Sequence, residues 1–295
     1  MSSGQGELDV TVPPRLFSAT PSRLDAWLGC PRRYRFGYVD RPTPSKGSPW
    51  AHNSMGAAVH GALAAWWLLP LEGRTPEAAR RLLDERWVSL GFRDDEQSDT
   101  WRERAAVMVE GYVATLDPDD EPVGVERTVA MKTPRLALSG RIDRLDRRGD
   151  ELVVVDYKTG RHILTTDDAR GSMALAVYAA AAAKTMRRPC RRVELHHLPT
   201  GEVIEWEYSE ESLARQLGRV EDIGVEVADA HTAATAADGD QALLEAIFPP
   251  RAGPQCGWCD FLAHCREGQD ATPQRPQPWA GLAPEITSSV DDLDL

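Results

Sequence analysis

Two short stretches of the chain assemble groups able to manage a divalent metal beside a phosphate: Gly140-Arg-Ile-Asp143 and Asp156-Tyr-Lys158. Side chains alternate along a strand, so Asp156 and Lys158 share a face. The apolar run Leu152–Val155 reads as the buried strand that delivers them. The turn Arg147-Arg148-Gly149-Asp150 folds that strand beside the one carrying Asp143. Two carboxylates at one place suit Mg2+ or Mn2+, hard ions that take oxygen ligands. The Lys158 ammonium could then orient or deprotonate a water, or steady charge building on a phosphate. The alternative for any Asp-x-Lys is a solvated hairpin with exposed ion pairs. An apolar strand that ends in charges at alternate positions argues for a site.

The cysteines form a second constellation. Cys256-Gly-Trp-Cys259 is followed by Cys265, and Cys30 lies far upstream. Three close thiolates plus one distant partner can enclose a tetrahedral metal or an iron–sulfur cluster, and spacing alone does not separate the two. No secretory signal precedes the chain's first elements, so metal ligation is favoured over disulfides. Cys190, between Pro189 and Arg191, reads as a free thiol. Joining Cys30 to the downstream three closes a loop of more than two hundred residues, which removes much freedom from the unfolded chain.

The elements that must position these groups are legible in outline. Ser22, with Asp25 three residues on, signals the start of a short helix ending near Gly29. Helices follow from Ser54 to about residue 69, from the Thr75-Pro76 pair to Trp87, and from Asp99 through Tyr112, giving a helical segment over about 70–120. Strands are expected over Val123–Ala130, Leu136–Leu145 and Leu152–Lys158. Gly171–Lys184 reads as helix, Val193–Leu198 and Val203–Tyr208 as a hairpin, and Ser209–Ala230 as a long helix. Residues 1–19 and 271–295 lack hydrophobic periodicity and are expected to be disordered, with one domain over 20–270.

Net charge is −12 over 295 residues, which taken alone disfavours a nucleic-acid partner. The distribution is uneven, however: Lys184, Arg187, Arg188, Arg191 and Arg192 cluster without an intervening acid. Acidic metal ligands and local basic patches are compatible in one nuclease. No apolar run reaches the roughly 20 residues needed to span a bilayer, so a cytoplasmic protein with no membrane partner is expected.

Gly140–Asp143 and Asp156–Lys158 resemble the G-x-x-D and D-x-K elements of PD-(D/E)XK nucleases of the RecB type. Gly56-Ala-Ala-Val-His60 matches that family's upstream G-x-x-x-H motif. The resemblance covers most of the chain. It implies an α/β (α+β), restriction-endonuclease-like fold: a mixed central sheet flanked by helices, with a helical insertion. It implies Asp143, Asp156 and Lys158 as catalytic residues. His60, Asp143, Asp156, Glu126 and the Tyr157 backbone carbonyl then hold Mg2+ or Mn2+. Read from its neighbours alone, His60 shares a helix face with Leu63, Ala64 and Trp67, as a core histidine would, and Glu126 is an ordinary strand residue. The family's Q-x-x-x-Y motif is represented by Ala174-Leu-Ala-Val-Tyr178, which keeps the tyrosine and loses the glutamine. Weaker substrate contact or catalysis would follow from that loss. Tyr178 is either a DNA contact or a half-buried helix residue.

Cys30-Pro-Arg-Arg-Tyr34 and the downstream C-x2-C-x5-C resemble the iron–sulfur staple of AddB-type and CRISPR-adaptation nucleases. That resemblance implies a 4Fe-4S cluster on Cys30, Cys256, Cys259 and Cys265. Trp258, inside the cysteine knuckle, is placed to shield such a cluster, the alternative being a ring that stacks on bases as in single-strand binders. Arg32, Arg33 and Arg35 are either phosphate contacts beside the staple or solvated surface arginines. The expected activity is a metal-dependent exonuclease acting on DNA ends or single strands in repair or recombination. No G-x-x-x-x-G-K-[ST] motif is present, so any unwinding requires a helicase partner. The rival readings are a CRISPR-adaptation nuclease, a catalytically weak DNA-binding accessory subunit of a helicase, and a zinc-stapled structural protein.

Overall fold

The computed structural model describes residues 16–282. In chain order the elements are β1 (Phe17–Ala19), α1 (Pro21–Gly29), α2 (Pro31–Tyr38), α3 (Ala51–Trp67), α4 (Pro76–Asp84) and α5 (Asp95–Val113). Then come β2 (Gly124–Lys132), β3 (Leu136–Arg148), β4 (Glu151–Lys158), α6 (Thr166–Gly171), α7 (Met173–Met186), β5 (Cys190–His197) and β6 (Glu202–Glu207). The helices α8 (Glu210–Ala236), α9 (Gln241–Ile247) and α10 (Arg266–Ala271) complete the set.

Local chemistry sets the boundaries. Thr75 accepts the Ala78 N–H through its side chain and Pro76 opens α4, as the Thr-Pro pair predicts. The first helix begins earlier than Ser22. Thr20 Oγ1 accepts the Arg23 N–H, and Pro21 occupies the first turn. Likewise Asp94, not Asp99, caps α5 by accepting the Gln97 N–H at 2.8 Å. The β3–β4 pairing reaches Arg148 opposite Glu151, leaving Gly149-Asp150 as the loop. Gly149 has φ +63° there, a conformation open to glycine without strain.

The six strands form a mixed sheet in the order β1-β3-β4-β5-β6, with β2 also paired to β3. β4 and β5 are parallel, and α7 makes the crossover between them. On one face α3, α4 and α5 pack against Val153, Val155 and Tyr157. On the other, α7 covers Leu152, Val154 and Val193. A third cluster joins α1 and α8 to Leu136 and Leu138 at the β1 end. This is the mixed central sheet flanked by helices that the resemblance implies.

Two expectations of disorder are corrected in part. Phe17–Ala19, inside the segment 1–19, pairs in parallel with Leu136–Leu138. Residues 271–282 are also placed: Trp279 and Leu282 pack on the helical cluster around α3, and the Ala51 N–H is bonded to the Pro278 carbonyl. Apolar side chains that find a core are ordered whatever the polarity of their neighbours. Residues 1–15 and 283–295 of the same two segments lie outside the described residues.

One irregularity matters for function. β2 occupies one edge of β3 throughout, while β1 (opposite 136–138) and β4 (opposite 144–148) share the other edge. Among the described residues no strand pairs with 139–143 on that side, which leaves a fork. At the same place the alternation of β3 slips. Ile142 and Leu145, three apart, both enter the cluster under α7, whereas Arg144 between them stacks on Trp67 from α3. β2 slips at the matching rung, where Glu126 adopts φ +48°. Paired slips of this kind re-aim side chains that a regular pleat would send elsewhere.

Candidate metal centre

Asp143 sits at the mouth of the fork. The ladder with β4 ends at Arg144–Val155, and in its place the Asp143 carboxylate accepts the Tyr157 N–H at 2.8 Å. That bond satisfies a backbone donor the splayed strands would leave open. From α3, His60 Nδ1 approaches Asp143 Oδ1 to 3.3 Å. Glu126 enters from β2, where both it and Asp143 fall between the pairs Val125–Arg144 and Arg127–Ile142. Ligand atoms of His60, Glu126 and Asp143 all lie within 4.8 Å of one another, and all three residues are partly exposed. They line an open cavity of about 770 Å³ that also touches Tyr157, Lys158 and Arg141.

Asp156 lies next to this trio without joining it within that radius. Its Oδ2 is 2.5 Å from Lys158 Nζ, so the buried carboxylate is ion-paired to that ammonium. Burial raises the Asp156 carboxyl above its ordinary range; Lys158 opposes this and Asp143 adds to it. For His60, burial opposes the charge, but the neighbouring Asp143 and then Asp156 overcome it and raise the imidazole above its ordinary value. Glu126 is paired to Arg141 at 2.7 Å, and Arg141 is otherwise largely exposed.

α7 closes the site from the opposite side. The Tyr178 ring rests on Gly140, and a β-carbon there would overlap Cε1 and stand 2.9 Å from Cδ1. Glycine at this position is required by the ring. The Tyr178 phenol is pushed up to about 12 by burial, then by Asp156 and Asp143, so it faces the carboxylates. Ala174, in the first turn of α7, has no polar side chain to bring to them.

The sequence matches the family model described as the PD-(D/E)XK nuclease superfamily over residues 18–266. The chain belongs to that superfamily. Among solved structures, that of SSO0001 is 13% identical with a TM-score of 0.37, covering 88% of this chain and 90% of that one. A structure named "Putative exonuclease" from Eubacterium rectale is 12% identical with a TM-score of 0.34, covering 73% of this chain and 92% of that one. No curated protein matches the chain.

For a PD-(D/E)XK nuclease the donor set fits a divalent ion. Two carboxylates and an imidazole converge, and the buried Asp156 lies beside them. Carboxylates this close disfavour one another's charge unless a cation lies between them. Carboxylates suit Mg2+ and Mn2+, while the imidazole nitrogen tilts the set towards the softer of the two.

Sequence reasoning missed the layer beneath the site. His196 bonds Glu194 (2.9 Å) and the Tyr112 hydroxyl (2.8 Å), and Arg148 forks onto Glu194. Arg144, only 4% exposed at its side chain, pairs with Asp146 at 2.9 Å and donates to Tyr112 at 3.2 Å. This network fixes β3, β4 and β5 against α5 directly below Tyr157. No single motif signals it, because its members come from three elements, α5, β3 and β5.

The four cysteines line one small cavity of about 130 Å³, between α2 and the segment 250–268 of this PD-(D/E)XK chain. None is in a disulfide. The Cys30 sulfur accepts the Arg251 N–H at 3.3 Å. Burial raises the Cys259 and Cys265 thiols, and Cys30 adds to both shifts.

Two expectations near the staple are corrected. Arg32 and Arg35 are not free to grip phosphates, being 8% and 5% exposed. Arg32 donates to the Phe248 carbonyl and pairs with Glu267, and Arg35 holds Asp40 and Gln241. Their charges anchor α2; Arg33 alone of the three is exposed. Trp258 does not cover the cysteine cavity. Its ring, 41% exposed, stacks near Trp50 and His52 (centroids 4.7 and 5.9 Å) and faces the groove beside the metal centre.

Proposed function

We propose that this protein is a Mg2+- or Mn2+-dependent DNA exonuclease acting on single strands or DNA ends, in repair or recombination. The observation that carries the reading is the convergence of His60, Glu126 and Asp143 at the β3 fork, with Lys158 at its rim. His60, Glu126, Asp143 and Asp156 are the residues that would hold the ion, with the Tyr157 backbone beside them. Such an ion supplies Lewis-acid stabilisation of charge on a phosphate and makes water more acidic.

This chain's own groups do the rest. Lys158, 44% exposed at its side chain, presents its ammonium to the cavity, where it can orient a water or accept the charge developing on the phosphoryl oxygens. The Asp143–Tyr157 bond fixes the carboxylate against the backbone, so it need not reorganise during reaction. Arg141 can release Glu126 and turn to a phosphate, since both lie at the open side of the cavity. Tyr178 closes the α7 side and excludes water from the carboxylates.

The four cysteines belong to the same proposal as ligands of a 4Fe-4S cluster that ties α2 to the segment 250–268. Their convergence on one small cavity supports a shared ligand there.

The test is digestion of linear and circular single-stranded DNA, labelled internally, by protein purified without oxygen. Loss of linear but not circular DNA, dependent on Mg2+ or Mn2+ and reduced at least about a hundredfold in Asp143→Asn, is expected. Equal loss of circles would overturn exonuclease action. No metal-dependent hydrolysis of any DNA would overturn the nuclease reading.

A further inference from the structure

Beside the metal centre lies a groove of about 1070 Å³ that runs into it. The two share His52, Met55, Thr159 and Gly160, so the groove is a continuation of the site. One wall is α5, with Arg104 and Val107; the other is the β5–β6 hairpin, with Leu198 and Val203. Trp258 and Arg161 stand in its lining too.

Its surface is unusual for an acidic protein. Val107, Val203 and Trp258 are 57%, 44% and 41% exposed, and all three face this groove. The volume exceeds the roughly 300–1,000 Å³ of ordinary small-molecule sites. From the nuclease reading above, we infer that the groove seats the unpaired bases of a single-stranded polynucleotide on its way to the metal centre.

Three arguments select this occupant. A duplex offers proteins phosphates, sugars and base edges, which gain little from valine and leucine. An unpaired base offers an apolar face, and every base can stack on an aromatic ring whatever the sequence. Trp258, backed by Trp50 at 4.7 Å, is such a ring at the junction with the site. Charge agrees: Arg104 and Arg161 sit in the lining, and Arg104 is held over Trp101 at 4.8 Å. These guanidinium groups are placed to meet phosphates while the bases turn to the apolar walls. The knuckle between Cys256 and Cys259 thereby acquires a second role, because it presents Trp258 to the strand.

The experiment is fluorescence anisotropy with labelled oligothymidylate of about 12 nucleotides, and with a duplex of equal length, on the full chain in EDTA. Trp258→Ala is expected to weaken single-strand binding about 5- to 150-fold, the range of one lost stack. Because Trp258→Ala could disturb the cysteine knuckle, Val107→Glu and Val203→Glu are measured beside it. Both sites are solvent-facing, and each added carboxylate should weaken the same oligonucleotide at least about tenfold. Leu68→Glu, 78% exposed at the end of α3 away from the groove, should bind as the parent does.

Parent-like binding by Val107→Glu and Val203→Glu would assign the groove to some other occupant, such as a peptide, and overturn the inference. Equal weakening of duplex and single strand would reduce the effect to general charge and overturn it as well. Binding in EDTA stands apart from cleavage, so absent hydrolysis would sink the nuclease reading while leaving this measurement to judge the groove.

Discussion

Replacing Gly140 by alanine should show how tightly the metal centre is built. The added methyl would overlap Tyr178 Cε1 and sit 2.9 Å from Cδ1, closer than nonbonded carbons approach without loss. Neither partner yields easily. Gly140 is held in the β2–β3 ladder opposite Val129, and Tyr178 belongs to α7 amid buried Val177, Ala179 and Ala181. Overpacking of this kind costs about 1–3 kcal/mol, enough to lower Tm by several degrees in a chain of this size. Thermal unfolding of the parent, Gly140→Ala, Tyr178→Ala and the double variant forms a cycle. The clash disappears with the ring, so the double variant should be no less stable than Tyr178→Ala alone. Gly140→Ala should also reduce metal-dependent activity by more than Tyr178→Ala does, because a displaced ring is pushed towards Asp143 and Asp156. Additive destabilisation, or a Gly140→Ala protein as stable as the parent, would refute the packing argument.

Three other outcomes follow from the geometry. Arg144→Met should destabilise the protein by about 1–3 kcal/mol, measured by urea unfolding, because Asp146 loses its 2.9 Å partner and keeps only Arg148 at 3.8 Å. In metal-free protein, raised His60 and Asp156 values make stability fall as pH rises. The loss begins above the usual 3.8 for Asp156 and continues beyond the usual 6.5 for His60. Mn2+ requires both groups deprotonated, so its stabilising shift in Tm should grow with pH across the same window, and a shift that shrinks would contradict the ligand set. Cys259→Ala should abolish the visible absorbance and iron content of anaerobically purified protein and increase hydrogen exchange in α1, α2 and residues 250–268. A variant with unchanged colour and exchange would remove the cluster from the account.

Much of the site was legible because its residues obey local rules. Val153, Val155 and Tyr157 alternate with Leu152 and Val154 along β4, and that pattern delivers Asp156 and Lys158 together. Thr75-Pro76 marks a helix start by chemistry confined to four residues. What escaped was non-local. β1 is three residues long, too short for any periodicity, and exists through pairing with distant Leu136–Leu138. The slip at Glu126 and Asp143 leaves no signature, since it arises from two strands deviating at one rung. The sequence brings Asp143 near Asp156, and their charges do interact; the slip also turns Asp143 to His60 and Glu126. Arg32 and Arg35 look like surface charges in a run of basic residues, but their acceptors, Phe248 and Gln241, lie more than two hundred positions away.

The shared edge of β3 also bears on how the molecule comes into being. Its first strand docks on residues more than a hundred positions downstream, and Cys30 meets partners more than two hundred positions away. Contacts so distant in sequence reward the chain only after large loops have closed, which slows folding. During synthesis β1 must wait for β3 to emerge, and Cys30 must wait for the segment that carries Cys256, Cys259 and Cys265. A growing chain therefore holds its His60–Glu126–Asp143 corner before it holds the far wall of the groove. The last parts to arrive are those that would guide a strand towards that corner.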